Sequence, residues 1–358
     1  MALPLTTSLQ PMLCKTATSI PAGMAYEPKW DGFRCLVFRD GDDVQLISRN
    51  GRDLTPYFPD VEAAVLDNTP PRCILDGELI CVQGDRLDFV TLSERIHPAA
   101  SRIAMLAEKT PASLVCWDLL AVDDTDLTGE PFSSRRARLE VALQHSEAPV
   151  HLTPLTTDPT LAEQWFQQFE GAGLDGVVAK PLDGPYLPGQ RAMIKIKHRR
   201  EADVVVGGFK LHKNSTAERP LLGSLQLGLF DATGDFHWIG VSAAFPDATR
   251  AALAELLAET TVPSDSDEYD QLAWSQPQVP GGARRPGSIS RWGGDATKVF
   301  HLIDPQLVCT IGYDHFEGTR LRHTARFLRW RPDRDPASCT FDQLDEVVGF
   351  DLAAVLPS

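Results

Sequence analysis

The stretch Glu27-Pro28-Lys29-Trp30-Asp31-Gly32-Phe33-Arg34 is the most informative segment of this 358-residue chain. It places a lysine two residues before an Asp-Gly pair and an arginine two residues after that pair. Asp-Gly favours turns, so one interpretation is a surface lysine that precedes a turn. The other interpretation is a reactive lysine at a nucleotide site, for which a single short motif is only a candidate.

Further short segments follow this stretch in a defined order. They are Ser48-Arg49-Asn50-Gly51, Leu75-Asp76-Gly77-Glu78-Leu79, Trp117-Asp118-Leu119-Leu120, Asp175-Gly176-Val177-Val178-Ala179-Lys180 and Ile194-Lys195-Ile196-Lys197. Each combines charged or aromatic side chains with a short apolar run that is typical of a strand.

The alternation of side chains along a strand predicts which of these groups point the same way. Ile194 and Ile196 share one face of their strand, so Lys195 and Lys197 project together from the other, into a cleft. The alternative is a solvated edge strand whose lysines prevent edge pairing. Asp76 and Glu78 likewise share a face, and the alternative there is a pair of ordinary exposed carboxylates.

These residue types suit the attack of an amine on a phosphate. A free lysine has a pKa near ~10.4 and is mostly protonated and inert at pH 7. Neighbouring cations such as Arg34, Lys195 and Lys197, together with a divalent metal, are expected to lower that pKa. The same cations offset the negative charge of a phosphoryl-transfer transition state. Carboxylates such as Glu78 and Asp175 supply the oxygen ligands that Mg²⁺ requires.

The ordered set of six segments resembles the motifs of the covalent nucleotidyltransferases, which include ATP-dependent DNA ligases, RNA ligases and mRNA capping enzymes. The resemblance extends from about residue 27 to residue 334 and is specific, because six segments match in order. Arg95-Ile96-His97-Pro98-Ala99 and the compact layout further resemble the bacterial two-domain ligases of the ligase C and ligase D type.

The resemblance implies roles for individual residues. Lys29 resembles the lysine that forms the bond to AMP, and Glu27 stands where ligases contact the adenine. The other implied nucleotide-binding residues are Arg34, Arg49, Glu78, Trp117, Lys195 and Lys197, with Glu78 and Asp175 as metal ligands. Trp117 stands where an aromatic often stacks on adenine, although its apolar neighbours also fit a core aromatic. Two departures are Asp175, where a glutamate is usual, and Met193, close to where an aromatic is usual.

Residue types also predict several element ends. One helix is predicted to begin at Ser133 or Ser134 and to run to about His145, and another to begin at Asp158 and to stop at Gly171. Later in the chain, strands are predicted over residues 299–302 and 307–312, and loops at Gly281-Gly282 and Gly293-Gly294.

The second half of the chain is predicted to be a separate unit. Beyond His198-Arg199-Arg200-Glu201-Ala202 the pattern gives about five strands and one helix, which suits an OB-fold, although a three-layer sandwich gives a similar count. We therefore expect an α+β chain: a nucleotidyltransferase (adenylation) domain of antiparallel sheets with helices over residues 1–199, then an all-β OB-fold barrel with a C-terminal tail over residues 200–358.

Charge is strongly segregated in this acidic chain, whose net charge is -15. Seven Lys or Arg lie between Arg191 and Lys213, and six arginines lie between Arg320 and Arg334. Two such stretches fit a DNA backbone, while a solvated charged face is the alternative. Arg331, Asp333 and Arg334 resemble the end of the last ligase motif, which closes over the nucleotide, with a hinge expected near residues 197–202.

The remaining composition fits an intracellular protein. The seven cysteines are odd in number and lack C-x-x-C spacing, which favours reduced core cysteines over zinc or disulfides. No apolar run is long enough to span a bilayer, and we expect a cytoplasmic monomer.

The predicted function is an ATP-dependent DNA ligase, with ATP and Mg²⁺ (or Mn²⁺) as cofactors. It is expected to seal nicks in duplex DNA through lysyl-AMP and DNA-adenylate intermediates, in DNA repair beside a polymerase or primase partner. The alternatives are an RNA ligase or another nucleotidyltransferase, or a non-catalytic DNA-binding module.

Overall fold

The computed structural model describes residues 3–198, 200–275, 285–286, 300–344 and 350–356. The chain divides into two compact units, residues 1–198 with 347–358, and residues 199–346. The predicted boundary between residues 199 and 200 lies within one residue of this division. The C-terminal tail was expected with the second domain but groups with the first unit, because Leu352 and Val355 are buried in an apolar cluster of that unit.

The first unit contains eleven of the strands and five of the helices in the described chain. In order these are β1 (Leu13–Ala17), β2 (Ala25–Pro28), β3 (Phe33–Asp40), β4 (Asp43–Ser48), α1 (Pro59–Asn68), β5 (Arg72–Gln83), β6 (Arg86–Leu87), α2 (Phe89–Glu94), α3 (Ala100–Lys109), β7 (Ala112–Val122), β8 (Thr125–Asp126), α4 (Phe132–Ala142), β9 (Val150–Leu152), α5 (Pro159–Gln168), β10 (Val177–Lys180) and β11 (Arg191–Ile196).

These strands form two sheets. The larger has the order β4-β3-β5-β7-β8, with β6 paired to β5 and β9 paired to β7. The smaller has the order β1-β11-β10-β2. Pairing is antiparallel except between β1 and β11 and between β7 and β9. The predicted antiparallel sheets with helices are therefore confirmed.

Apolar side chains cover both faces of the larger sheet. On β3, Cys35 and Val37 enter the cluster that also contains residues of α1 and α4. Leu36 and Phe38 point the opposite way and pack with Met193 of the smaller sheet. Burial on both faces explains why β3, β5 and β7 have nearly continuous apolar runs. The smaller sheet is thereby packed against the larger one, and residues of both sheets line the candidate site.

Two helix boundaries differ from the prediction. Helix α4 begins at Phe132 with Pro131 as its N-cap, so the predicted serine cap at Ser133 or Ser134 is wrong; the fixed φ of proline already starts the helix. Helix α5 begins as predicted, with the Asp158 carboxylate accepting from Thr160 N at 2.8 Å. It ends at Gln168, and a 3₁₀ turn continues to a left-handed Gly173 (φ +86°) rather than stopping at Gly171.

The described part of the second unit contains β12 (Arg200–Leu211), β13 (Leu222–Phe230), β14 (Phe236–Ser242), α6 (Asp247–Ala258), α7 (Asp267–Gln271), β15 (His301–Tyr313), β16 (Phe316–Glu317), β17 (Arg320–Leu321) and β18 (Arg326–Trp330). Five of these strands form a sheet in the order β14-β13-β12-β15-β18. A bridge from Ser242 to Ala325 joins its two edges, with Ala325 N donating to Val241 O at 2.9 Å. The sheet thereby closes into the predicted OB-type barrel.

The two strands predicted around residues 299–302 and 307–312 are one strand, β15. Pro305 lies between the two predicted stretches and has no N–H for the ladder. In the structure the partner of Val206 is Leu307 and the partner of Gly208 is Leu302, so residues 303–306 form a bulge within a continuous strand. The loops predicted at Gly281-Gly282 and Gly293-Gly294 lie outside the described residues.

Two further expectations concern the cysteines and membrane-spanning segments. All seven cysteines are described and free, and all but Cys14 are buried, as predicted. Among the described helices, none combines the length and the apolar character needed to cross a membrane.

Candidate active site

A cavity of about 220 Å³ in the first unit is lined by every residue predicted to bind the nucleotide. These are Glu27, Lys29, Arg34, Arg49, Glu78, Trp117, Lys195 and Lys197. They come from both sheets, at positions up to 170 residues apart in sequence. Asp175, a predicted metal ligand, contacts two of these lysines.

Backbone pairing fixes the position of Lys29. Lys29 N donates to Gly176 O at 2.8 Å, and Asp175 N donates to Lys29 O at 2.9 Å. Gly176 has φ +126°, and a Cβ at this position would lie 2.0 Å from Ile196 O. Only glycine fits there, so the ends of β2 and β11 and the start of β10 meet beside the Lys29 side chain.

Asp175 joins two lysines. Its Oδ2 lies 2.6 Å from Lys29 Nζ and 2.5 Å from Lys197 Nζ. Burial is the largest single effect and lowers the pKa of Lys29, but the carboxylates of Asp175, Asp31 and Glu78 together raise that pKa above its usual value. The expectation that surrounding cations lower the pKa of Lys29 is therefore wrong for this state, because a carboxylate lies between them.

Lys195 is the lysine whose pKa is lowered. Burial is the main cause, followed by the positive charges of Lys197 and Lys29. Lys195 lies on the same strand face as Met193, and both line the cavity. Ile196 faces the opposite side and is buried in the apolar cluster against which Ile194 packs. The predicted alternation of β11 is thus observed, and the solvated edge strand is excluded.

Arg34 is held by a buried carboxylate. It donates from Nε and Nη2 to the two oxygens of Asp76, each at 2.5 Å, and Asp76 is fully buried. Tyr186 OH donates to Asp76 at 2.7 Å. The guanidinium carbon lies 4.6 Å from the ring centroid of Trp117. Asp76 is therefore an anchor for Arg34 and not an exposed carboxylate.

Glu78 is the cross-strand partner of Arg34 and accepts from Gly32 N at 3.1 Å. Burial raises the pKa of Glu78 to about 7, although Arg34 and Lys29 oppose the shift. A group of this kind is poised to change charge near neutral pH, which is typical of functional sites.

Trp117 fits both interpretations offered for it. It is 8% exposed and belongs to an apolar cluster with Trp30, yet its ring also lines the cavity. Arg49 is exposed in the turn that follows β4 and lies at the cavity wall.

Sequence reasoning missed a buried charged group beside Glu27. Glu27 Oε2 lies 2.6 Å from Lys180 Nζ, and Arg136 Nη1 lies 3.7 Å from Oε1. A signal was present for Lys180, because it ends the Asp175–Lys180 segment and shares a strand face with Val178, which lines the cavity. No sequence signal pointed to Arg136, which approaches Glu27 from α4.

In the second unit, Arg331 is fixed within the barrel. Its Nη1 lies 2.8 Å from Asp203 Oδ2 and its Nη2 lies 2.9 Å from Asp333 Oδ2. The hydrogen bond from Arg331 lowers the pKa of Asp333 to about 2. The last predicted motif is therefore ordered by contacts to β12.

The first unit, with a lysine in a cavity lined by cations and carboxylates, and the OB-type barrel that follows it define a nucleotidyltransferase of the DNA ligase type. Residues 11–197 match the family model described as "ATP dependent DNA ligase domain", and residues 218–334 match "ATP dependent DNA ligase C terminal region". The chain belongs to the family of ATP-dependent DNA ligases and is an ATP-dependent enzyme of that class.

Curated relatives match along nearly the whole chain. DNA ligase C2 of Mycolicibacterium smegmatis is 51% identical over 347 residues, which cover 96% of each chain. DNA ligase C of Mycobacterium tuberculosis is 46% identical over 100% of this chain and 99% of its own. A solved Lig E DNA ligase is 17% identical, with a TM-score of 0.54 over 90% of this chain and 99% of its own, and supports the fold alone.

Proposed function

We propose that Lys29 is the residue that becomes adenylylated. Its amine attacks the α-phosphate of ATP, a P–N bond to AMP forms, and pyrophosphate leaves. The AMP then passes to the 5′-phosphate of a nick, and the 3′-hydroxyl displaces it as the strand is joined. The supporting observation is that the Lys29 amine lies in the cavity, within one charged group formed with Asp175 and Lys197.

The proton on Lys29 must leave before the amine can attack. Asp175 Oδ2, 2.6 Å from Nζ, is the nearest acceptor for it. Asp175 also forms an ion pair with Lys197. Phosphate oxygens that enter the cavity compete with Asp175 for Lys197. Asp175 is then left to accept the proton of Lys29. Lys195, with its lowered pKa, lies beside the same phosphates and offsets their charge.

Glu78 and Asp175 fit the needs of Mg²⁺ only in part. Glu78 lines the cavity, whereas Asp175 contacts Lys29 and Lys197 but is not among the lining residues. Among the described residues, the one group of three or more His, Cys, Asp or Glu with converging ligand atoms is Asp231, Asp235 and His237, on the β13–β14 hairpin. Two carboxylates plus substrate phosphates are nevertheless the usual Mg²⁺ environment in phosphoryl transfer. Bound there, the ion would neutralise phosphate charge.

The geometry of the cavity supports the other proposed contacts with the nucleotide. Arg34 has Nε and Nη2 engaged by Asp76 and Met12 O, so its Nη1 is the nitrogen left for a phosphate or the ribose. Glu78 lies beside Arg34, where it can contact the ribose or a metal. The Trp117 ring is available to stack on the adenine. Arg49, exposed at the cavity wall, suits the 5′-phosphate of the nick.

The DNA partner is proposed to be a nicked duplex, contacted through the two basic stretches near residues 191–213 and 320–334. Two cationic stretches in a chain of net charge -15 support a phosphate-backbone surface. A repair role, a polymerase or primase partner, a monomeric state and a cytoplasmic location remain predictions from the family resemblance.

Nick sealing by variants tests this proposal. Lys29→Ala is expected to abolish both sealing and labelling by α-labelled ATP. Lys109→Ala, an exposed lysine at the end of α3 and outside the cavity, serves as the matched control and should keep both activities. Labelling by GTP in place of ATP would point instead to a capping-type enzyme. Retained labelling in Lys29→Ala would refute the assignment of the lysine.

A further inference from the structure

Tyr186 is a buried tyrosine whose hydroxyl both donates and accepts, although Tyr186 is not among the residues that line the nucleotide cavity. Its side chain is 3% exposed. The hydroxyl donates to Asp76 Oδ2 at 2.7 Å and accepts from Met12 N at 2.9 Å. Arg34 Nη2 donates to the same Asp76 oxygen and also to Met12 O, at 3.2 Å. Both partners of the Tyr186 hydroxyl are therefore partners of Arg34 as well.

The backbone that carries Tyr186 is anchored by main-chain hydrogen bonds. Tyr186 lies in the connection between β10 and β11, and its N–H donates to Thr128 O at 2.8 Å. Two residues earlier, Gly184 O accepts from Phe132 N at 2.9 Å, in the first turn of α4. Pro131, the N-cap of this helix, has no side-chain acceptor, so the Gly184 carbonyl satisfies one of the free N–H groups at the helix start. The Tyr186 hydroxyl is thus presented by a segment that is itself held in place.

The same hydrogen bonds bear on the wall of the cavity. Met12 lies between Pro11 and Leu13, which both line the cavity, as does Arg34. Contacts at Nε and Nη2 fix the plane of the guanidinium, because its nitrogens form a rigid fork. The direction of Nη1, the nitrogen left for the nucleotide, therefore depends on where Asp76 and the Met12 backbone are held.

We infer that Tyr186 is a positioning residue for Arg34. By holding Asp76 and Met12 in place, its hydroxyl sets the direction in which the guanidinium meets the nucleotide. This inference rests on the proposed adenylylation of Lys29, since the labelling of Lys29 is the step that reports on a correctly placed nucleotide. Phenylalanine keeps the ring but can neither donate to the carboxylate nor accept from the backbone N–H.

The efficiency of Lys29 labelling, measured as the rate per unit concentration of ATP and per folded chain, tests this role. Tyr186→Phe is expected to label about 10-fold less efficiently than the unaltered chain, the effect of about one hydrogen bond. Tyr26→Phe is the matched control, because Tyr26 is also buried, its OH donates to Pro21 O at 2.6 Å, and it is not among the cavity-lining residues. Both variants should lose stability, but only Tyr186→Phe should lose labelling efficiency per folded chain.

A double-mutant cycle makes the assignment to Arg34 specific. Arg34→Lys keeps a positive charge beside Asp76 but loses the two-pronged contact of the guanidinium. In this background Tyr186→Phe should change the labelling efficiency by less than about twofold, because no guanidinium is left to orient. A second loss of about 10-fold would show that the two residues act independently and would overturn the inference.

The outcomes separate the two proposals. If ATP does not label Lys29 in the unaltered chain, the proposed function fails. If ATP labels Lys29 and Tyr186→Phe labels as efficiently as the unaltered chain, the positioning role of Tyr186 is overturned while the proposed function stands. An equal loss of efficiency in Tyr26→Phe would likewise overturn the positioning role, since any lost buried hydroxyl would then have the same effect.

Discussion

Lys29 Nζ lies 2.6 Å from Asp175 Oδ2, so the proposed nucleophile rests in an ion pair with a carboxylate 146 residues further along the chain. The same oxygen also holds Lys197. This ion pair favours the protonated form of Lys29, so under the proposed function Asp175 controls the pH at which Lys29 can react.

Asp175→Asn is expected to move the pH dependence of adenylylation to lower pH. Asp175 raises the pKa of Lys29 against the effect of burial, so without this charge the amine loses its proton at lower pH. The apparent pKa of the labelling rate should fall by about 1–3 units. The shift is determined from the rate of AMP transfer to the protein, measured from about pH 6 to about pH 10. Asp183→Asn, an exposed aspartate, is the control, and an unchanged profile in Asp175→Asn would contradict the role of this ion pair.

Glu78→Gln is expected to stabilise the first unit at alkaline pH relative to the unaltered protein. Burial raises the pKa of Glu78 to about 7 from 4.5. Because folding raises the pKa of Glu78, the folded state keeps its full stability at pH values below the Glu78 pKa of the unfolded chain. That stability is lost as the pH rises through about 7. The free energy of unfolding should favour Glu78→Gln by roughly 2–3 kcal/mol at pH 8, with the difference vanishing near pH 4. Urea unfolding at both pH values measures it; equal stability of the two proteins at pH 8 would show that the Glu78 charge is not penalised.

Gly176→Ala is expected to disrupt the site through the backbone. A Cβ there would lie 2.0 Å from Ile196 O, and φ is +126°. The loss in unfolding free energy should be at least ~2 kcal/mol, with AMP labelling lost as well, because Gly176 O pairs with Lys29 N. Gly129→Ala, where a Cβ meets nothing within 4 Å, is the matched control. Unfolding midpoints that coincide for the two variants would argue against this close approach.

Leu352→Ala is expected to destabilise the first unit although Leu352 lies near the C-terminus. Leu352 is 3% exposed, packs in the cluster of Trp30 and Trp117, and donates from its N–H to Asp85 O at 2.8 Å. The expected cost is about 2–4 kcal/mol in the free energy of unfolding. Val141→Ala, at a side chain that is 65% exposed, should change stability by less than ~0.5 kcal/mol. A negligible effect of Leu352→Ala would mean that the tail is not part of this core.

Local sequence patterns predicted much of the candidate site. The alternation in Ile194-Lys195-Ile196-Lys197 requires the two lysines to project together whatever the rest of the fold does, and the structure has them so. Asp76 and Glu78 were predicted to share one face of their strand, but their different partners were not predicted. Asp76 anchors Arg34, while Glu78 faces Lys29. This difference depends on which side chain from a neighbouring strand contacts each carboxylate.

Contacts between segments that are distant in the sequence could not be predicted from the sequence alone. The position of Asp175 between Lys29 and Lys197 reverses the expected direction of the Lys29 pKa shift, and nothing within either segment encodes that meeting. The approach of Arg136 to Glu27 depends on how α4 packs, and the placement of the tail depends on an apolar pocket assembled from several strands. The single strand β15 was not predicted either, because a bulge can contain a proline such as Pro305 without ending the strand.

The central claim is that the Lys29 amine captures AMP, and the mass of the purified chain after incubation with ATP and Mg²⁺ tests it most directly. The account predicts a gain of one AMP per chain, located by peptide mapping on Lys29 and absent in Lys29→Ala. An unchanged mass, or AMP mapped to another residue such as Lys195, would contradict it.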